Sequence, residues 1–195
     1  MYLPILKERG IISIIGFVSL LFASCSAEQQ YSTQYPCSFV YYASNHPNSA
    51  LTLTMGNAGQ FCIVQPKLVG GVTHLIMTPN YGSWTEEQTD VAMLTAIENE
   101  RLTYDRMGAN RRLIIGQSNF NGPKAFDGQC PSCLETSSSS NRPLVWVDKG
   151  QMLQCQKCSM KFNPNADGVA VSGSESKRLI EYRIDFNGEK IYVHN

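Results

Sequence analysis

Two Cys-x-x-Cys pairs in the C-terminal half constrain the fold of this chain more than any other feature. Cys130 and Cys133 form the first pair, and Cys155 and Cys158 form the second, after the 21 residues from 134 to 154. Four thiolates on two tight turns make the tetrahedral sulfur cage that zinc and iron favour. The spacing matches a four-cysteine ribbon-type site. The sequence therefore predicts one metal shared by all four cysteines, without choosing the metal.

The N-terminus has the pattern of a secretory signal. Lys7 and Arg9 precede an apolar run at residues 11–23, which is too short to span a membrane, and small residues lead directly to Cys25. This ending resembles the lipobox of bacterial lipoproteins, in which the cysteine thiol receives a diacylglycerol. We expect a signal peptide at residues 1–24 and a lipid on Cys25 that tethers the protein to a membrane of the bacterial cell envelope. The alternative is a cleaved signal in which Cys25 is an incidental small residue.

The charge of the mature chain argues against a nucleic-acid partner. The chain from Cys25 onward has 171 residues, and without Lys7, Glu8 and Arg9 it keeps 14 basic and 15 acidic side chains. Ribbon-like zinc modules that bind nucleic acid need a basic face to neutralise phosphates. Neither the charge nor the expected compartment supports that function.

The mature chain reads as a short tether followed by a mostly β domain. Residues 26–34 are small and polar, so we expect a tether at 25–34 and one domain at 35–195. A single helix is predicted to begin at residues 85–88 and to end near 107–110. Short runs of branched and aromatic residues bounded by Asn, Pro or Gly predict strands at 37–42, 51–54, 61–64, 72–77, 112–116, 144–147, 152–154, 179–186 and 190–194. The expected fold is a β-sandwich with one inserted helix and both cysteine pairs on neighbouring loops.

A longer series of residues surrounds the cysteine pairs. It consists of Phe126 to Pro131, Leu153 to Cys158, Phe162, Gly168, Gly173, Leu179, Tyr182 and the ending Gly188 to Val193. The series resembles a Rieske-type iron–sulfur domain. In that family a first loop carries Cys and His, and a second loop carries Cys-x-x-His, followed by an aromatic residue, a glycine turn and a closing hairpin. By this resemblance Cys130 is the first-loop cysteine, Cys133 lies one residue beyond the first-loop histidine, and Cys158 occupies the second histidine position.

The whole mature chain is similar to the Rieske-like lipoproteins of Bacteroidetes. The similarity rests on three short elements, at residues 108–110, 114–116 and 130–134. It implies a Rieske-like β-sandwich with a two-loop metal-binding subdomain at about residues 126–165.

The histidines depart from the Rieske pattern. A Rieske cluster needs two imidazole ligands on one iron, whereas His46, His74 and His194 all lie outside the two cysteine boxes. Four thiolates could hold one zinc ion, one iron ion or a two-iron two-sulfur cluster. We expect zinc, because ribbon-like spacing without histidine is typical of closed structural sites.

The metal decides the expected function. With zinc the protein is a binding or interaction module, and with iron it is an electron carrier for an unidentified redox partner. In a two-iron cluster, the resemblance would assign Cys130 and Cys155 to one iron and Cys133 and Cys158 to the other. The sequence has no paired carboxylates, nucleophile with base or phosphate-binding glycine loop, so we do not expect an enzyme that acts through side chains alone.

Disulfide chemistry is the alternative to metal binding. Thiol–disulfide catalysis is disfavoured, because the residues after Cys133 are poor helix formers and no βαβ pattern surrounds them. Structural disulfides within or between the pairs remain open in an oxidising envelope. Cys37 and Cys62 lie in strand-like runs, either as buried thiols or as a disulfide between two strands.

Overall fold

The structure is a computed structural model that describes residues 31–82, 89–101, 106–137, 141–172 and 177–195. The predicted signal peptide, Cys25 and the predicted helix start at 85–88 lie outside these residues. Within them, no helix is long and apolar enough to cross a membrane.

Strands make up most of the regular structure. They are β1 Ser38–Tyr42, β2 Phe61–Val69, β3 Val72–Pro79, β4 Thr89–Ala92, β5 Leu113–Ser118, β6 Gly122–Asp127, β7 Leu144–Val147, β8 Met152–Cys155, β9 Lys161–Asn163, β10 Val169–Ala170, β11 Glu181–Phe186 and β12 Lys190–His194. The helices are α1 Ala50–Met55, α2 Ala96–Arg101 and α3 Pro131–Thr136, with short 3-10 turns at Ala43–Asn45, Ala109–Arg111 and Pro164–Ala166. The prediction of a mostly β fold is confirmed, and all but one of the predicted strands coincide with strands of the structure.

The strands form two antiparallel sheets. The larger has eight strands in the order β1-β12-β11-β6-β5-β2-β3-β4, and the smaller has four in the order β10-β9-β8-β7. Every strand pair is antiparallel. The smaller sheet is an insertion between β6 and β11, which are neighbours in the larger sheet. The insertion carries both cysteine pairs.

The larger sheet has a core on each face, because side chains alternate along its strands. In β2, Cys62 and Val64 join one apolar cluster, whereas Phe61 and Ile63 join another. The second cluster contains Cys130 and Cys155 and the side chains of the inserted sheet that pack on them. Both cysteine loops therefore pack on one face of the larger sheet through Cys130 and Cys155.

One predicted strand is a helix. Residues 51–54 lie within α1, where the Ser49 side chain accepts a hydrogen bond from the Thr52 backbone N–H (3.2 Å). Helical spacing buries Leu51, Thr54 and Met55 on one face. The alternating sequence Leu-Thr-Leu-Thr resembled a strand, but the serine N-cap determines the local structure.

The predicted long helix is present only in part among the described residues. Residues 89–92 form β4, which pairs with the edge of β3, and the α-helix is confined to residues 96–101. The helix begins with a capping box, since the Thr95 and Glu98 side chains accept reciprocal hydrogen bonds from each other's backbone N–H (3.1 and 3.0 Å). The capping box that starts the helix therefore lies ten residues later than the predicted helix start.

Candidate metal centre

The first cysteine loop follows β6 directly. Cys130 is the N-cap of α3, and Pro131 occupies the first helical turn, where its fixed φ suits the helix and its missing N–H costs nothing. Burial raises the pKa of the Cys130 thiol, and the nearby Cys133 backbone N–H opposes that rise. The expectation that this segment is poor helix sequence is wrong, because a six-residue helix with proline at its start needs no long run of helix formers.

The second loop is the turn between β8 and β9. The Ser159 N–H donates to the Cys155 carbonyl (2.8 Å), and the Cys155 N–H donates to the Met160 carbonyl (3.0 Å). Ser159 has a left-handed φ of 60°, which reverses the chain. The backbone N–H groups of Cys158 and Lys157 counter the effect of burial on the Cys155 thiol and lower its pKa. In both loops, backbone N–H groups near the first sulfur thus favour its thiolate form.

The two loops bring all four sulfurs together. The Sγ atoms of Cys130, Cys133, Cys155 and Cys158 all lie within 4.8 Å of one another. The Cys130–Cys158 distance is 3.6 Å and the Cys133–Cys155 distance is 3.8 Å. With metal–sulfur bonds of about 2.3 Å, two sulfurs of a tetrahedral site lie about 3.8 Å apart. The four side chains therefore could hold a metal ion such as zinc or iron.

The same distances distinguish this arrangement from disulfides. A disulfide joins its sulfurs at about 2.05 Å, and all six cysteines in the described residues, including Cys37 and Cys62, are free thiols. Cys37 and Cys62 lie in the core on the opposite face of the larger sheet. They are buried, and burial raises the pKa of Cys37 to about 12.

The site is buried on one side and open on the other. Cys130 and Cys155 are buried, Cys133 is partly buried and Cys158 is exposed. Burial raises the pKa of Cys130 above the usual cysteine value and that of Cys133 to about 11. Burial also opposes ionisation of Cys155, but the N–H groups of Cys158 and Lys157 bring its pKa below the usual value. A bound cation would supply the charge that ionises the buried thiols, and their protons would be released on binding.

An apolar floor lies beneath the sulfurs. Trp146 and Phe162 belong to the same cluster as Cys130 and Cys155, and the Trp146 indole N–H donates to the Thr78 carbonyl of β3 (2.9 Å). This contact fixes the inserted sheet against the larger one. The floor excludes water from one side of the sulfurs, which strengthens metal–thiolate bonding.

Asp127 holds the start of the first loop. Its Oδ2 accepts hydrogen bonds from the Ala109 N–H and the Tyr182 hydroxyl (both 2.7 Å), and its Oδ1 accepts from the Gln129 N–H (2.8 Å). Gly108 has a φ of 69°, and a Cβ there would meet the Asp127 carboxylate and the Tyr182 hydroxyl. The carboxylate is fully buried, and burial raises its pKa to about 6.

Sequence reasoning missed three side chains that join the loops. The Gln129 side chain accepts from the Arg142 backbone N–H (2.6 Å), which connects the two ends of the first loop segment. The Ser132 hydroxyl donates to Met160 Sδ (3.0 Å), which connects the first loop to the second. No sequence signal marks these residues, since their roles depend on contacts between distant segments.

The histidines each contact a carboxylate elsewhere in the fold. His46 pairs with Glu98 (2.9 Å), His74 with Asp90 (2.6 Å) and His194 with Asp185 (3.0 Å). Of the three, His46 is buried. The four-cysteine cluster thus draws on no histidine in the described part of the chain.

Comparison with known proteins found no matching family model, no matching curated protein and no matching solved structure.

Proposed function

We propose that this protein is a lipid-anchored component of the bacterial cell envelope in which a Rieske-like domain holds one structural zinc ion. The ligands are Cys130, Cys133, Cys155 and Cys158. The observation that carries the proposal is the approach of all four sulfurs to within 4.8 Å across two loops. On this proposal the protein is a binding or interaction module whose inserted sheet depends on the metal.

The sulfur separations support one metal rather than two. A two-iron cluster distributes its cysteines over two irons joined by sulfide, so sulfurs on different irons lie farther apart than the edge of one tetrahedron. Here the Cys130–Cys158 distance is 3.6 Å and the Cys133–Cys155 distance is 3.8 Å, both close to that edge. No two of the four sulfurs are more than 4.8 Å apart.

The closed ligand set supports zinc. Four thiolates fill the coordination sphere of zinc and leave no open position for a substrate, which is the pattern of structural sites. When bound, the metal supplies folding free energy by joining the two loops. The chain's own residues supply the four thiols and the apolar floor, and nearby backbone N–H groups favour ionisation of Cys130 and Cys155.

The topology is consistent with the Rieske resemblance. The four-stranded insertion between β6 and β11 carries one cysteine pair just after β6 and the other between β8 and β9. After the second pair come Phe162, a turn at Gly168 with a φ of 69°, and the β11–β12 hairpin. This order follows the loops, aromatic residue, glycine turn and closing hairpin expected from the sequence.

Metal analysis with a visible spectrum tests the zinc assignment. Protein purified without oxygen should contain about one zinc per chain and be colourless, because zinc thiolates do not absorb visible light. Near-stoichiometric iron with visible absorption would overturn zinc, and labile sulfide would then identify a two-iron cluster. A metal-free sample without free thiols at the four positions would favour disulfides instead.

Electron transfer is the second candidate function. The observation that favours it is the exposed Cys158, which would place an iron centre close to the surface where a redox partner could approach. An all-thiolate iron cluster would have a potential well below that of a histidine-ligated Rieske cluster. Voltammetry on the iron-containing sample described above would separate this function from a structural role.

Replacing the proposed lipid attachment site tests the anchor. The Cys25→Ser chain should move from the membrane fraction to the soluble fraction, because the diacyl group supplies most of the membrane affinity. Immunoblotting of both fractions measures the shift, and Ser26→Ala, which keeps the thiol, should stay with the membrane. Equal retention of the Cys25→Ser chain would contradict lipidation.

A further inference from the structure

Five exposed apolar side chains lie on the β2–β3 hairpin and on the neighbouring segment, at one end of the larger sheet. We call this group the apolar tip, and its residues are Leu68, Val69, Val72, Leu94 and Ile97. Leu68 is 62% exposed and Leu94 is 73% exposed. Soluble domains rarely display so many large apolar side chains in one region without a partner.

The apolar tip projects from the body of the domain. Val64 pairs with Leu113 at the first residue of β5, and β2 continues five residues further to Val69. At about 3.3 Å per residue the hairpin extends about 16 Å past the end of β5. The turn itself is Gly70–Gly71, with φ values of 59° and 83°.

The segment around α2 lies beside the same hairpin. The Thr73 backbone N–H donates to Asn99 Oδ1 (2.8 Å), and the Met93 N–H donates to the Thr73 carbonyl (2.8 Å). These bonds place residues 93–99 beside the end of the hairpin. The five residues therefore lie at the same end of the larger sheet, with Val69 and Val72 paired on one face of the hairpin and Leu68 on the other.

The described chain begins at the same end of the sheet. The Ser32 N–H donates to the carbonyl of Glu181, the first residue of β11 (3.0 Å). Asn195, just after the last strand, donates to the carbonyls of Ser32 and Tyr35 (3.0 and 2.7 Å). Strand pairing aligns Glu181, through β6 and β5, with Ile63 of β2, and β2 continues from there to the apolar tip.

Chain length keeps the proposed lipid close to this end. Cys25 precedes Tyr31 by six positions. At no more than about 3.5 Å per residue, the chain that joins the two residues can span at most about 21 Å. A domain held on so short a tether must rest near the bilayer surface.

The geometry points to the apolar tip as a membrane-docking surface, which inserts into the bilayer interface beside the lipid of Cys25. This inference rests on the proposed lipidation. Exposed basic side chains flank the tip, at Lys67 on the hairpin and at Arg111, which lines a shallow cleft together with Leu68. Basic residues beside an inserted apolar element attract anionic headgroups. The occupant is thus a lipid surface, and docking fixes the orientation of the domain on the membrane.

Quenching by brominated lipid tests the insertion. The lipidated full chain carrying Leu68→Trp is reconstituted into vesicles of phosphatidylethanolamine and phosphatidylglycerol with bromines high on the acyl chains. Interfacial elements bury about 5–10 Å into the headgroup–acyl boundary, so the added emission should fall by about half. The matched control is Phe120→Trp, a still more exposed site (89%) on the β5–β6 turn at the opposite end of the sheet, where emission should not change.

The outcomes separate the tip from the anchor. No quenching at position 68, or equal quenching at both positions, overturns membrane docking by the tip. If Cys25→Ser abolishes vesicle flotation while position 68 is unquenched, the anchor stands and the tip inference fails. If flotation is independent of Cys25, lipidation fails, and quenching at 68 alone would still support the tip. A dimer of the Cys25→Ser protein that Leu68→Ser dissociates would identify a second copy as the occupant and overturn docking to lipid.

Discussion

Replacing Cys130 or Cys155 by serine should abolish stoichiometric metal binding and destabilise the domain severely. A serine hydroxyl is neutral at pH 7 and is a poor ligand for zinc, and each sulfur belongs to one shared centre on two separate loops. Loss of a structural metal removes several kcal/mol of folding free energy, which for a domain of this size lowers the melting temperature by on the order of 10 °C. Because both cysteines are buried in the same cluster, the two variants should lose similar amounts of folding free energy.

The measurements are metal content and thermal unfolding by circular dichroism. Cys62→Ser is the matched control, since it makes the same chemical change at a buried thiol in the opposite core. It should lose some stability and keep its metal. A chelator should lower the melting temperature of the wild-type protein to that of Cys130→Ser and leave the melting temperature of that variant unchanged. Normal metal content in either loop variant would mean that the pairs do not share a site.

Asp127→Asn should change how stability depends on pH. The folded pKa of Asp127 is raised from 3.8 to about 6 by burial. Between these values the folded protein binds more protons than the unfolded chain, so the contribution of Asp127 to the free energy of unfolding falls as pH rises. The total change is about 3 kcal/mol. The stability advantage of wild type over Asp127→Asn should therefore shrink by about that amount from about pH 4 to about pH 7.

Urea unfolding of both proteins across this pH range measures the difference. Loss of metal at low pH affects both chains and cancels in the comparison. Glu98→Gln is the control of opposite sign, because burial opposes the charge of Glu98 but hydrogen bonds from Asn45, Thr95 and His46 lower its pKa overall. The advantage of wild type over that variant should be lost as pH falls. A pH-independent difference for Asp127→Asn would contradict the assigned burial effect.

Local signals accounted for most of the strands. Runs such as Phe61–Val64 and Lys190–His194 are rich in branched and aromatic residues, which favour strands in nearly any context. The errors fall where local patterns are ambiguous. The sequence of residues 51–54 is compatible with the two-residue period of a strand and with the 3.6-residue period of a helix. The Ser49 N-cap favours the helix.

The wrong helix boundary has a tertiary cause. Residues 89–92 add a strand to the edge of β3, and the pairing of Val91 with Leu75 outweighs the helix propensity of the neighbouring sequence. The true helix start at Thr95 had a readable signature in Thr95-x-x-Glu98. An equally good signature at Thr85-x-x-Gln88 competed with it in the sequence.

Residue type and spacing by themselves determined the mostly β fold and the four candidate ligands, because both depend on short stretches of chain. A Cys-x-x-Cys pair forms its turn locally, whatever surrounds it. Only the tertiary structure decided that Cys130 Sγ lies 3.6 Å from Cys158 Sγ and Cys133 Sγ 3.8 Å from Cys155 Sγ, and that Cys158 is exposed whereas Cys130 and Cys155 are buried. Those properties depend on the packing of loops that follow β6 and β8, and local sequence does not encode contacts across such a separation.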